Sequence, residues 1–165
     1  MQVSEIMTPD PATCTPETSL QDVARMMVDC DCGAIPVVGS DGSGEPAGIV
    51  TDRDIVCRAV AEGRNPLQMR AGDVMTANVL RIDQHEDVEN LMRLMEKNQV
   101  RRVVVVDGKR CVGMVSQADV ARHLSDDVAG ELVEDISRPS HGASSPSTPR
   151  GKHTGDGHTG NGHGS

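Results

Sequence analysis

The chain has no phenylalanine, tyrosine or tryptophan among its 165 residues. Its core must therefore be built from Val, Ile, Leu, Met and Ala, and it lacks the aromatic platforms on which single-stranded DNA and RNA bases stack. Positive charge is scarce too, with 16 Lys and Arg against 25 Asp and Glu, a net charge of −9. From residue 137 onward the only charged side chains are Asp156, Arg138, Arg150 and Lys152, so the preceding part carries 24 acids and 13 bases, a net of −11. Such a surface repels phosphate backbones and anionic lipid, which argues against nucleic-acid and membrane partners. Any phosphate it binds must be held by a local cluster of bases. No apolar run approaches the length of a membrane span, and MQVSEIMTPD lacks a basic stretch followed by an apolar one. A cytoplasmic location is expected. The five cysteines, Cys14, Cys30, Cys32, Cys57 and Cys111, are odd in number and fall inside strand or helix patterns, as small core residues of a reducing compartment do.

What the chain does contain is a repeat. Met7-Thr8 matches Met75-Thr76, Leu20 matches Val88, Met27 matches Met95 and Val38 matches Val106, all about 68 positions apart. After the hairpin turn the offset falls to about 65, because SDGSGEPA is longer than DGKRCV, an insertion that a surface turn tolerates. Two units of this size are each too small for a comfortable core and should pack on each other.

Each unit reads as strand, helix, strand, strand, helix. In the first, over residues 1–64, VSEIMTPD is a helical turn ended by Pro9, and ATCT is an extended first strand. Ser19 caps a helix whose apolar face is Leu20, Val23, Ala24, Met27 and Val28. Ala34 to Val38 and Ala47 to Thr51 form a hairpin, and DRDIVCRAVAEG a second helix with Ile55, Val56, Ala59 and Val60 inward and Gly63 as its stop. The second unit, residues 65–125, predicts a strand over Val79 to Ile82 and a helix from about Asp87 to Lys97 with Val88, Leu91, Met92 and Met95 inward. The hairpin Arg102 to Val106 and Cys111 to Val115 follows, then a helix from Gln117 to about Leu124. Residues 126–136 suggest one further helix. Residues 137–165, rich in Ser, Gly, Pro and Thr, are expected to be disordered, and their evenly spaced His153, His158 and His163 offer no preformed metal site.

Two S/T-x-x-D steps, Thr51 to Asp54 and Ser116 to Asp119, fall where a strand runs into a helix. One reading is a capping box. The other is a carboxylate able to accept from two adjacent hydroxyls, as a ribose diol presents them. The two are compatible. Arg101-Arg102, opening an otherwise all-valine strand in an acidic chain, favours an anionic ribosyl ligand, because paired guanidiniums bind phosphate by charge-assisted hydrogen bonds.

The doubled unit, with Ile6-Met7-Thr8 and Val74-Met75-Thr76, the strands IPVV and VVVV, and the steps GIVTDRD and GMVSQAD, resembles a pair of CBS domains, the Bateman module, over roughly residues 1 to 125. It is similar to small stand-alone bacterial CBS-pair proteins. The resemblance implies an α/β fold of two CBS units packed as a pseudo-two-fold pair, a regulatory or stress-response role, and two clefts for an adenosyl ligand such as AMP, ADP, ATP, NAD or S-adenosylmethionine. It assigns Met114, Ser116, Asp119, Arg101 and Arg102, with Ala12, Cys32 and Gly33, to one cleft. Ile49, Thr51 and Asp54, with Leu80 and Val100, go to the other. The aspartates take ribose hydroxyls, the arginine pair takes phosphate, and the partner unit walls the adenine. Gly33-Ala34 stand where Arg101-Arg102 stand in the other repeat, so the second cleft lacks that phosphate site unless Arg53 or a neighbouring arginine reaches it. A homodimer acting on an unidentified protein target is expected, since the exposed helices of an isolated pair carry Val and Met.

An enzyme is not expected. His85 and His123, the histidines before residue 137, join no nucleophile or carboxylate constellation. Two rivals remain. One is a redox or metal sensor built on Cys30-Asp31-Cys32, which lacks the second ligand pair of a closed zinc site. The other is a structural interaction module whose clefts stay empty.

Overall fold

The computed structural model describes residues 1–124. The extra helix expected over 126–136 and the tail from 137 lie outside the described residues. The elements run β1 (Thr8–Pro9), α1 (Leu20–Cys30), β2 (Ala34–Val38), β3 (Pro46–Thr51), α2 (Asp52–Ile55), α3 (Ala71–Val74), β4 (Thr76–Ala77), β5 (Arg81–Asp83), α4 (Val88–Asn98), β6 (Arg102–Asp107), β7 (Arg110–Ser116) and α5 (Gln117–His123). This is the α/β fold of two similar units that the repeat implies.

Local chemistry sets most element ends. Ser19 Oγ accepts from the Asp22 amide at 3.1 Å and starts α1, whose buried stripe is Leu20, Val23 and Met27. Asp31 and Gln99, 68 positions apart, end α1 and α4 in the left-handed region, with φ of 49° and 52°. Gly63, at φ 70°, closes the helical stretch of the first unit as expected.

The strands form two sheets, ordered β1-β7-β6-β5 and β2-β3-β4. Each sheet thus borrows its edge from the other repeat: Thr8 and Pro9 pair with Met114 and Gly113, while Thr76 and Ala77 pair with Ile49 and Gly48. Pro9, which has no N–H to give, sits on an edge strand, where one neighbour suffices. The backbone just before each edge follows the same exchange. Val3 N and Ser4 N donate to Glu86 O and Gln84 O, and Ala71 N and Gly72 N donate to Thr18 O and Pro16 O. Val3 and Ile6 are buried among Ile82, Leu91, Met95, Val103 and Val105, while Met69, Ala71 and Val74 are buried among Leu20, Val23, Ile35 and Val37. Neither sequence repeat closes its own core. Gly113 and Gly48 make this possible: a Cβ at the first would lie 2.4 Å from Met7 Sδ, and at the second 2.7 Å from Thr76 O.

Several local expectations change. The helical turn before Pro9 is a 3-10 turn over Val3–Glu5, and the strand expected at Ala12 to Thr15 narrows to one parallel bridge between Cys14 and Val37. The strand expected over Val79 to Ile82 is β5, parallel to β6 and starting two residues later. In the second helix of the first unit, Ala59 is buried and Ile55 half-buried, but Val56 and Val60 are 57% and 58% exposed. From Val56 that helix opens into a wider π-type turn, with Ala61 N bonded to Val56 O, which leaves Ile55 and Ala59 as its inward pair. Val28, placed on the apolar face of α1 by periodicity, is 79% exposed.

Candidate functional site

The hairpin register builds the second S/T-x-x-D step into a site. Arg102 on β6 lies directly opposite Ser116 at the end of β7, and Gln117 N donates to Arg101 O at 2.9 Å. The arginine pair and the start of α5 are therefore neighbours. Ser116 Oγ accepts from Asp119 N at 3.3 Å, while Asp119 Oδ2 accepts from both Ser116 N and Ser116 Oγ at 2.7 Å. Asp119, 7% exposed, is the one buried charged side chain among the described residues. Its other oxygen, Oδ1, is paired with the guanidinium of Arg122. His123 places Nδ1 2.8 Å from Asp119 O, in the last turn of α5.

The first unit repeats the capping box. Asp54 N donates to Thr51 Oγ1 at 3.1 Å and Thr51 N to Asp54 Oδ2 at 2.9 Å. Its arginine is used differently: Arg58 Nε lies 3.9 Å from Asp54 Oδ1 while Arg58 Nη1 donates to Val74 O and Met75 O at 2.9 and 3.0 Å. That guanidinium is committed to the end of α3. Ile49 is buried in β3, Leu80 precedes β5 and accepts from Val104 N, and Val100 is half-buried against the second core.

A cavity of about 310 Å³ joins the two repeats, at the lower end of the roughly 300–1,000 Å³ typical of small-molecule sites. Of the residues assigned to the first cleft, Arg102, Met114, Ser116 and Asp119 line it from the second unit, and Cys32 and Gly33 from the first. Arg101 lines an adjoining hollow of about 370 Å³ that shares Arg102 and Ser116. Ala12 is half-buried against the first core and lines neither. Gly33 lies close to Arg102 of the second unit: a Cβ there would be 2.9 Å from Asp52 Oδ2 of its own unit and 3.5 Å from Arg102 Nη2. Arg102 thus reaches from the second unit toward the backbone of the first at Gly33.

Thr8, Asp31 and Arg122 also line the cavity and were not foreseen. Arg122 had a readable sign, since a carboxylate and a guanidinium three apart on a helix are neighbours. Thr8 and Asp31 had none, because the first arrives through the strand exchange and the second through the left-handed end of α1.

The cysteines give no closed metal site. Cys30 is exposed and Cys32 half-buried, its thiol held above the usual range by burial and by Cys30 and Asp31 beside it. Among the described residues no three His, Cys, Asp or Glu side chains cluster as metal ligands. No helix of the described residues is long and apolar enough to cross a membrane.

This arrangement, two interlocked repeats each ending a hairpin in a capped S/T-x-x-D step, with a cavity between the units, defines a class of paired-repeat α/β module. The CBS domain family model matches residues 3–60 and 71–126, and the chain belongs to that family. It is 36% identical over 128 residues to Hypoxic response protein 1 of Mycobacterium tuberculosis, spanning 77% of this chain and 88% of that protein. A crystal structure of Hypoxic Response Protein I with two coordinated zinc ions matches at a TM-score of 0.67 and 34% identity, over 76% of this chain and 100% of that one. The CBS domain pair of protein MJ0100, in complex with 5′-methylthioadenosine and S-adenosyl-L-methionine, matches at 0.65 and 28% identity, over 74% and 94%.

Proposed function

We propose that the chain is a regulatory CBS pair that takes one adenosyl ligand, drawn from AMP, ADP, ATP, NAD and S-adenosylmethionine, into the cavity between the units and signals its occupancy to a protein target. The observation that carries this reading is the buried Asp119 carboxylate, held by Ser116 in the same cavity as Arg102, Cys32 and Gly33. A buried carboxylate, an acceptor when ionised, suits a ribose diol. Arg101 and Arg102 supply cations for phosphate, and Met114, Cys32 and Gly33 supply apolar wall for the base. The MJ0100 pair, with its two adenosyl ligands, supports the ligand class. Thr51, Asp54, Ile49, Leu80 and Val100 form a second, weaker site without an arginine pair. No catalytic step is assigned to either cleft, and the chain acts in the cytoplasm as a stress-responsive regulator.

The chain is a homodimer in this reading. Val28, Val56 and Val60 of the first unit and Leu67 just after it, 57–79% exposed, are the apolar surface that a second copy covers.

Calorimetric titration of the full chain with each ligand tests the cleft. At least one should bind with one dominant site per chain, and Asp119→Ala should weaken it by tenfold to a hundredfold or more. Failure of all five to bind or to raise the melting temperature favours the structural-module alternative.

A further inference from the structure

We propose that Arg122 selects for a phosphate on the ligand, so that the cavity prefers 5′-phosphorylated adenosine over adenosine itself; this rests on the cleft assignment above. The argument begins with the acceptor capacity of Asp119. An ionised carboxylate offers about four lone-pair positions. Ser116 N and Ser116 Oγ occupy two on Oδ2, and Arg122 Nη2 occupies one on Oδ1. A vicinal diol donates twice, and only about one position is left. The Ser116 hydroxyl is tied in place by the Asp119 amide that donates to it, so the exposed guanidinium is the partner that gives way.

Displacement of Arg122 leaves a cation in a cavity that Arg102 also lines. A neutral nucleoside gives it only uncharged acceptors or water in exchange. A 5′-phosphate gives it a new anion, and Arg102 and Arg122 then hold that group together by charge-assisted bonds. The exchange is open to Arg122 because its side chain is 68% exposed and, among the described residues, its one ion pair is with Asp119. The first unit cannot do the same. At the position matching Arg122 it carries Cys57, and its nearby Arg58 is held on Val74 O and Met75 O. Asp31 lines the cavity from the first unit and repels phosphate from that side, which directs the anion toward the arginines.

The test is titration of the full chain with AMP and with adenosine, in wild type, Arg122→Gln and Arg122→Lys, with melting temperatures as the folding control. In wild type AMP should bind more tightly than adenosine. Arg122→Gln should weaken AMP by about tenfold or more, the worth of one hydrogen bond to a charged group, while adenosine binds as well or better because nothing need be displaced. Arg122→Lys should keep most of the preference. Wild type binding adenosine as tightly as AMP, or an unchanged AMP-to-adenosine ratio in Arg122→Gln, overturns the role of Arg122 and leaves the cleft standing. Binding of neither probe to wild type overturns the phosphate preference, and it overturns the cleft assignment too when ADP, ATP, NAD and S-adenosylmethionine also fail to bind.

Discussion

Thr8 of the first repeat lies in antiparallel register opposite Met114 of the second, on the same strand that ends in Ser116. The edge of the sheet carrying the proposed site is thus built from the far end of the chain, and Thr8 itself lines the cavity. Stability of the site depends on residues more than a hundred positions away from it.

Ile6→Ala should destabilise the protein by roughly 2–4 kcal/mol, as loss of a buried isoleucine does, with Ile6 only 3% exposed in the core around Leu91 and Val103. Gly113→Ala should also destabilise, because its Cβ meets Met7 Sδ and lies 3.2 Å from Thr8 O. Urea unfolding gives the magnitudes. Hydrogen exchange should show the loss of protection in β6 and α4; loss confined to β2 and α1 would mean that the strand exchange is not what these residues support.

The clefts should respond unequally. Asp119→Ala or Arg102→Ala should weaken nucleotide binding by tenfold to a hundredfold or more, since each removes a charged partner worth roughly 1.5–3 kcal/mol. Asp54→Ala should be nearly silent. The reverse pattern in calorimetry would assign the ligand to the first unit's step and leave Arg101 and Arg102 as solvated edge residues.

Burial raises the Cys14 thiol from 9.0 to about 11. Below pH 9 both folded and unfolded chains keep this proton. Between about pH 9 and 11 the unfolded chain releases it while the folded chain does not, so stability falls with rising pH across that window and then levels off. Melting temperatures from pH 8 to 11 should show the fall, and Cys14→Ala should remove part of it. Equal slopes in both proteins would place the effect elsewhere.

If Val56 and Val60 cover a dimer contact, Val56→Asp with Val60→Asp should halve the sedimentation mass at micromolar concentration. Both are already exposed, so the monomer should keep its melting transition. Wild type sedimenting as a single chain removes the dimer altogether.

Much of this protein was legible in its sequence, for a physical reason. Helix starts, hairpins and capping boxes are set by residues within a few positions of each other, so Ser19, the Thr51–Asp54 and Ser116–Asp119 steps and the β6–β7 hairpin appear where spacing puts them. Doubling of the pattern carried the fold, and the Arg101-Arg102 mismatch with Gly33-Ala34 is readable in the chain as the ground for expecting unequal clefts. Only the tertiary structure decided the exchange of Thr8–Pro9 and Thr76–Ala77 between sheets, because either sheet edge satisfies an extended pair equally well by local pattern. It also decided that Val56 and Val60 face outward, since a π-type turn changes the helical phase that periodicity assumes. The approach of Arg102 to Gly33 and the arrival of Asp31 beside Arg122 and Asp119 depend on how the two units meet. Contacts between distant segments leave no period in the chain, and the proposed site is made of them.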